Sequence, residues 1–371
     1  MQLFEVIQLL QSLAPESLAE PWDKVGLHVG DARQRVRRAL LCIDLTEAVL
    51  AEAKRGKHDL VVAYHPPIFK PLERVTTEDG KSRIVYEAVR AGIAVYSPHT
   101  ALDAATGGVN DWLASGLGEL ADSRPITPTA ARQGTRYKVV TFAPAGHVDA
   151  LRSAMAKAGA GQIGDYSVCS FNVAGEGTFK GGSESNPAVG RAGRFERVPE
   201  IRLEMVCPAA RLGDVIAAVR ATHPYEEPAF DVYRLEAEPT QSKTGAGRVV
   251  TLAKPVAMTT LVPRIKQHLG VKYVEVAAVK GGRKVSRVGV CAGAGGSLLA
   301  DAGAVDLYLT GEMRHHDVLA ALARGTNIVL AGHTQTERPY LKVYRRNLAA
   351  AGPKAVHWTV SRADVAVSAI V

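Results

Sequence analysis

Short apolar runs separated by amphipathic stretches set the pattern of this chain. In its first third, "RALLCIDLT", "DLVVAYHPP" and "GIAVYSPHT" read as strands, because Val, Ile and Leu follow one another closely and turn residues close each run. Between them, "EAVLAEAKRG" and "SRIVYEAVRAG" space their apolar residues at helical intervals. The resulting β-α-β-α-β order predicts an α/β fold whose parallel or mixed sheet is covered on both faces. Ligands of such sheets collect at the C-terminal ends of the strands. The last third repeats the plan: strand "VSRVGVCAGAGG", helix "SLLADAGA", strand "VDLYLTGEMRHH", helix "HDVLAALARGT", strand "NIVLAGHTQTE". Both halves end their third strand in His-Thr, as "SPHT" and "AGHT". An internal duplication is expected, with the loops of two similar lobes gathered around one site.

The middle of the chain follows another rhythm. "YKVVTFAPAGHVDALRSAMAKAGAGQIGDYSVCSF" and "RLEMVCPAARLGDVIAAVRATHPYEEPAFDVYRLE" each read as strand, Pro-punctuated loop, helix, strand. Two such units predict a ferredoxin-like α+β domain inserted into the larger one. The expected boundaries are 1–130 for the first lobe, 137–236 for the insert and 245–371 for the second lobe. "ITPTAARQGT" and "AEPTQSKTGAGR" are the expected linkers, and "AGEGTFKGGSESNPAVGRAG" a mobile Gly-rich loop or hairpin. "HPYEEPAFDVY" reads as a rigid loop before the last strand of the insert, with no ligand role expected.

Composition narrows the class. Of 371 residues, 47% are hydrophobic and 22% charged, an ordinary globular balance that excludes a largely disordered or collagen-like chain. Every apolar run is broken well short of the ~18 residues that cross a membrane. "MQLFEVIQLLQSLAPES" reads as an amphipathic helix stopped near Pro15, not as a signal peptide, and the expected location is the cytoplasm. Cys42, Cys169, Cys207 and Cys291 form no C-x-x-C pair, so neither a disulfide framework nor a zinc ribbon is expected. Net charge is +8, and its excess lies from Pro239 onward, with 18 Lys+Arg against 7 Asp+Glu. The scattered excess reads first as a solvated surface, with an anionic ligand such as a phosphate as the alternative. Without a dense basic run or interleaved aromatics, nucleic acid is not an expected partner.

Candidate chemistry gathers at the strand ends. "GHTQTERPYL" places His333 and Glu337 four apart after an apolar strand, a spacing that can aim imidazole and carboxylate at one cation. "VVAYHPPIF" sets His65 after another strand with two prolines fixing the loop, and "SPHTALD" offers His99 and Asp103. Taken singly, each has a plain structural explanation: a loop histidine, a hydrogen-bonded core histidine, or an N-cap in the case of Asp103 for the helix that follows. Taken together, they point to a metal. "TGEMRHHDVLAAL" adds Glu312, His315 and His316 at the start of a helix, and Glu312 is a candidate general base beside a metal-bound water. "CAGAGGS" lacks G-x-G-x-x-G and the Walker lysine, so a tight turn is expected there instead of a nucleotide cradle.

The motifs "WDKVGLHVG", "DLVVAYHPPIF", "HTALDAATGGVNDWL", "GDYSVCSF", "HPYEEPAFDVY", "TGEMRHHDVLAA" and "GHTQTERPYL" together resemble the NIF-three-like proteins, a dinuclear-metal family also named GTP cyclohydrolase I type 2 homologs. The resemblance runs nearly end to end and includes the insert, which in longer members looks like a PII/CutA-type domain. Carried over position by position, it implies His65, Asp103, His333 and Glu337 as ligands of one or two divalent ions, with Zn, Fe, Mn and Ni equally suited. One position departs: Tyr64 stands where the family's His-His-Pro loop has its first histidine. "YHPP" versions also occur in the branch that includes eukaryotic members. The substitution removes one imidazole, which weakens a second metal, and His99 is placed to compensate. The resemblance further implies a toroidal homohexamer with its metal sites facing an internal cavity.

The function expected from these readings is a metal-dependent, hydrolase-like activity on a phosphate-bearing or nucleotide-like substrate, with Glu312 or His99 assisting proton transfer. A non-enzymatic metal-handling or regulatory protein, its insert sensing a partner or ligand, is the alternative.

Overall fold

A computed structural model describes residues 1–129, 136–164, 166–236, 242–352 and 355–366. The chain divides into two compact units, one made of residues 1–129 and 241–371, the other of residues 130–240. The first unit begins with α1 (Leu3–Leu13), β1 (Gly26–Val29), β2 (Arg38–Cys42), α2 (Glu47–Arg55), β3 (Leu60–Ala63), α3 (Gly80–Arg90), β4 (Ala94–Ser97), α4 (His99–Ala104), α5 (Val109–Ser115), β5 (Leu120–Arg124) and β6 (Thr127–Pro128). Local signals set these limits. Thr46 caps α2 by accepting from the Val49 amide, and Asp79 caps α3 by accepting from Lys81 and Ser82.

The second unit holds β7 (Arg136–Ala143), α6 (Val148–Lys157), β8 (Phe171–Lys180), β9 (Phe195–Pro208), α7 (Leu212–Thr222) and β10 (Phe230–Arg234). Its strands pair antiparallel in the order β10-β7-β9-β8. The Gly-rich stretch expected as a loop or hairpin lies in a hairpin: β8 runs to Lys180 and pairs antiparallel along its whole length with β9. Alternate residues of the sheet, among them Val139, Ala143, Leu203, Met205 and Cys207, pack against Val148, Leu151 and Met155 of α6 and Val215 and Val219 of α7. His223 in the "HPYEEP" loop is buried, its Nε2 2.9 Å from the Phe142 carbonyl, which anchors that loop to β7. Much of each expected linker, residues 130–135 and 237–241, lies outside the described residues.

The chain then re-enters the first unit through β11 (Gly245–Ala246), β12 (Arg248–Val256), α8 (Met258–Leu269), β13 (Glu275–Ala277), β14 (Val285–Cys291), β15 (Leu307–Thr310), α9 (His315–Ala323), β16 (Asn327–Leu330), α10 (Leu341–Ala351) and β17 (His357–Val360). Two sheets result, ordered β1-β4-β3-β2-β17 and β13-β16-β15-β14-β12-β5. Each has a three-stranded parallel centre, β2-β3-β4 in one and β14-β15-β16 in the other, with an antiparallel strand beyond β4 and beyond β16. The two lobes are not separate along the chain. β5, from the first segment, lies at the edge of the second sheet, while β17, from the last, extends the first sheet parallel to β2. "SLLADAGA" is not the expected helix but one 3-10 stretch, Gly296–Ala300, since Gly295 and Gly296 before it and Gly303 after it leave too few helix-forming residues.

Side chains alternate along the strands of the first sheet. Leu40, Cys42, Val61, Ala63 and Val95 face a cluster with α2 and α3, while Ala39, Leu41, Leu60, Val62, Ala94 and Tyr96 face the other way. That second face joins Val288, Val290, Leu307, Leu309 and Val329 of the second sheet and residues of α1, α5, α8 and α10 in one continuous core. Burying each such Leu, Ile or Val contributes about 1.5–3 kcal/mol. This shared core holds the strand ends of both lobes at fixed positions.

Candidate metal centre

The loops that leave the parallel strands carry the chemistry. After β2 comes Asp44, after β3 Tyr64 and His65, and after β4 His99 and Asp103, both on α4. In the second lobe Gly293 follows β14, Glu312 follows β15, and His333 and Glu337 follow β16. β16 stops at Leu330, and residues 333–337 form successive turns before a 3-10 stretch at Arg338–Tyr340. His333 and Glu337 therefore converge through a turn, not along a helix face.

His65, His333 and Glu337 each offer one ligand atom within 4.8 Å of the other two, a group that can hold a metal ion. His65 Nε2 lies 3.5 Å from Glu337 Oε2, and His333 Nε2 lies 3.4 Å from Glu337 Oε1. The opposite ring nitrogens are held by carboxylates: His65 Nδ1 is 2.9 Å from Asp44 Oδ1, and His333 Nδ1 is 3.0 Å from Glu312 Oε1. A carboxylate behind an imidazole fixes the ring's orientation and raises its basicity, the usual support of a metal-binding histidine.

Three observations fit the group to a cation. Glu337 is 3% exposed, and its Oε2 is buried with no hydrogen-bond partner, a cost that a bound ion would offset. Gly293, with φ +63°, leaves the space that a side chain would take: a Cβ there would stand 2.6 Å from Glu337 Oε1 and 3.2 Å from His333 Nε2. Finally, the site favours positive charge. Burial alone would lower the pKa of His65, but the hydrogen bond to Asp44 and the nearby charge of the Glu337 carboxylate outweigh it and raise it to about 10. Asp44, beside that ring, is held below the usual carboxylate range.

Asp103 lies outside this three-residue group. One of its carboxylate oxygens accepts from the Tyr64 hydroxyl, and burial pushes its pKa up to about 6. Asp103 lies within α4 and does not cap the helix that follows, whose N-cap is Gly108. Tyr64 is 2% exposed, and burial raises its phenol well above the ordinary range, so it donates to Asp103 and does not ionise. His99 stands with its ring 5.4 Å from that of His65 and 5.6 Å from that of Tyr64. Its backbone is in the left-handed region, φ +27°, a strained conformation for a residue with a side chain. Asp23 stabilises it: one oxygen is 2.8 Å from His99 Nδ1, and the other accepts from the Thr100 amide at 3.1 Å and from the Thr100 hydroxyl. Glu312 is exposed beyond His333, and His315 and His316 are exposed on α9, outside the group. Cys291 sits buried below the site, and burial together with Asp103 and Glu337 raises its thiol far above its usual value.

Residues that sequence reading passed over either tie the two lobes together, as Asn110 and Arg248 do, or brace the turns of the second lobe, as Thr336 does. Asn110 on α5 donates to the Asp103 carbonyl at 3.1 Å and accepts from the Ala292 amide at 2.9 Å. Thr336 accepts from the Gly293 amide at 2.9 Å, and the Gly293 carbonyl accepts from the amides of Gly311 and Glu312, both at 3.0 Å. Arg248, 1% exposed, pairs with Asp111 and donates to the carbonyl of Ala105 at 3.1 Å. Asp44 had a readable signal, since "CIDLT" ends a strand as "AYHPP" does. Asn110, Thr336 and Asp23 had none, because short polar residues are common in loops and at the starts of helices.

Residues 1–366 match the family described as Duf34/NIF3 (NGG1p interacting factor 3). The chain is 37% identical over 330 residues to the GTP cyclohydrolase 1 type 2 homolog of Halalkalibacterium halodurans, covering 88% of this chain and 87% of that protein. It is 36% identical over 372 residues to NIF3-like protein 1 of Bos taurus, covering 98% and 91%. Among solved structures, a Bacillus cereus protein related to NIF3 aligns with a TM-score of 0.65 at 34% identity, over 100% of this chain and 99% of that one. Staphylococcus aureus SA1388 aligns with a TM-score of 0.76 at 24% identity over the same shares, a likeness of fold.

Proposed function

This chain belongs to the Duf34/NIF3 family, and from that premise we propose that it is a divalent-metal protein with a hydrolase-like activity on a phosphate-bearing or nucleotide-like substrate. The observation that carries the reading is the convergence of His65 from one lobe with His333 and Glu337 from the other around a buried, unpartnered carboxylate oxygen. Asp103 is the fourth ligand in this reading. A divalent ion held there would supply Lewis-acid activation of a water at neutral pH. Asp44 and Glu312 orient the two imidazoles from behind. Glu312, exposed at the rim, and His99, backed by Asp23, are the groups placed to accept or return a proton.

A phosphate-bearing substrate is supported by a cavity of about 660 Å³ bordered by Glu312, Gly296, Ser297, Arg314 and Arg324. Its two guanidinium groups suit a phosphate, and Glu312 connects it to His333. Relatives named GTP cyclohydrolase 1 type 2 homolog agree with a nucleotide-like substrate. The β-α-β-β-α-β order and the antiparallel pairing of the second unit support a ferredoxin-like insert. The four cysteines are free thiols, which suits a reducing, cytoplasmic compartment. Among the described residues no helix is long and apolar enough to cross a membrane. The assembly in this reading is a homo-oligomer, the toroidal hexamer implied by the sequence resemblance, and light scattering on the purified protein tests it.

The deciding experiment is elemental analysis of protein purified without added metal, for the native chain and for His333→Ala. The native chain is expected to hold a stoichiometric divalent ion and the variant to lose it, together with any hydrolysis of nucleotides or phosphate esters. Equal metal content in the two would sink the reading. Bound metal without turnover of any such substrate would leave metal handling as the function.

A further inference from the structure

The second unit packs both its helices on one face of its sheet, and on the opposite face lies a cavity of about 620 Å³. That volume is in the range of about 300–1,000 Å³ typical of small-molecule sites. Phe142, Val173, Phe179, Pro187, Val189 and Tyr225 give it a mainly apolar wall. The connection between β8 and β9 forms part of the wall and is pinned there, since the Asn186 amide donates to Glu226 Oε1 at 3.0 Å.

The charges on this face are unevenly matched. Along β9, Glu200, Arg202 and Glu204 alternate with the core residues Ile201, Leu203 and Met205. Lys138 and Arg202 both converge on Glu204, at 2.9 and 2.8 Å, and Arg202 also lies over the Phe142 ring. Glu200 is left without a cation: among the described residues no ion pair reaches it, and none reaches Glu227 on the same cavity. Gly177, a diagonal neighbour on β8, keeps the Glu200 carboxylate clear, because a Cβ there would lie 2.1 Å from Glu200 Oε2. The Tyr225 hydroxyl is buried near Glu200, yet no hydrogen bond of good geometry reaches its oxygen. Lys180, exposed, also borders the cavity, but Glu200, Glu226 and Glu227 outnumber it.

We propose that this cavity is a binding site for a small amphipathic amine, its ammonium group meeting Glu200 and the Tyr225 hydroxyl and its apolar body lying on Phe142, Val173 and Val189. Aromatic rings beside a carboxylate attract organic cations through both the ring face and the charge. An anion would meet an excess of carboxylates. A metal is not the occupant, since among the described residues the one group of donors close enough to hold an ion is His65, His333 and Glu337.

The test uses the full-length protein and three probes of one shape, phenethylamine, phenethyl alcohol and phenylacetate, titrated by calorimetry and saturation-transfer NMR. Phenethylamine is expected to saturate one site per chain, with the alcohol and the acid weaker by about tenfold or more. Glu200→Gln is expected to weaken the amine by about tenfold. Val189→Lys, at a position 40% exposed, is expected to abolish binding by placing an ammonium group of the chain's own in the cavity. No saturation by phenethylamine below about 10 mM, equal binding of the three probes, or indifference to both substitutions overturns the proposal. So does self-association that shields Val189 and leaves no room for a probe. Should Glu200→Gln fail to fold, the exposed Val189→Lys variant decides.

Discussion

Asp23 shows how much a single carboxylate can settle. Burial would raise its pKa, but hydrogen bonds to His99 and Thr100 outweigh that and lower it from 3.8 to about 2. A group whose folded pKa is depressed stabilises the fold above its unfolded value and loses that contribution as pH falls through the folded one. Asp23→Asn is therefore expected to cost at most about 2 kcal/mol at pH 7 from this term, with the difference from the native chain falling to about half by pH 3. Denaturant unfolding at the two pH values measures it, and a difference that grows toward acid would contradict it. Tyr64 is the other residue on which the site turns. Its hydroxyl engages Asp103, and a phenol with so high a pKa is a poor ligand. Tyr64→His is expected to raise bound metal from one ion per chain toward two, read by elemental analysis. Behind the histidines, Asp44→Asn is expected to weaken metal affinity about 10- to 100-fold in a competition titration, while the protein still folds. At this scale His65, His333 and Glu337 were legible because each follows an apolar run at a strand end. Asp44 follows one too, but a lone aspartate after a strand reads equally well as a turn residue.

Among the elements, the turns after β14, β15 and β16 fit together too closely for larger residues. A Cβ on Gly311 would stand 2.5 Å from the Gly293 carbonyl oxygen and 2.8 Å from the His333 Cα, both of them backbone atoms that cannot swing aside. Gly311→Ala is expected to destabilise the protein by about 2 kcal/mol or more and to weaken metal binding with it. Thermal unfolding and a metal titration on the same sample check both effects, and an unchanged melting temperature would mean that the turn rearranges freely. The parallel strands of both lobes were readable from composition, since buried strands are continuous runs of Val, Ile and Leu. β8 was harder to read. Gly175 and Gly177 left it open between a loop and a hairpin, and Gly177 is small because the Glu200 carboxylate approaches it from the paired strand. "SLLADAGA" misled in the other direction, its apolar spacing helical but its flanking glycines closing the segment after one 3-10 stretch.

For the whole molecule, the point where the second unit interrupts the first is closed by its own pairing. Ala246 pairs with Thr127 and Gly245 with Pro128, and the Thr129 amide donates to Thr244 at 3.0 Å, so the two ends of the first unit are already neighbours. Replacing residues 130–240 with a short Gly/Ser linker is expected to leave the first unit folded and its metal content unchanged while removing phenethylamine binding. Circular dichroism, elemental analysis and calorimetry read the three outcomes, and loss of metal from a folded excised chain would refute the independence of the two units. The sequence by itself determined the α/β elements, the doubled strand-helix plan and the residue types at the strand ends, because periodicity and turn chemistry act over a few neighbouring positions. Only the tertiary structure decided that β5 and β17 cross between the sheets, that Asn110 and the Arg248–Asp111 pair join the lobes, and which carboxylate stands behind which imidazole. Those pairings link positions far apart in the chain, and their energy exists only once the shared core has brought the strand ends together.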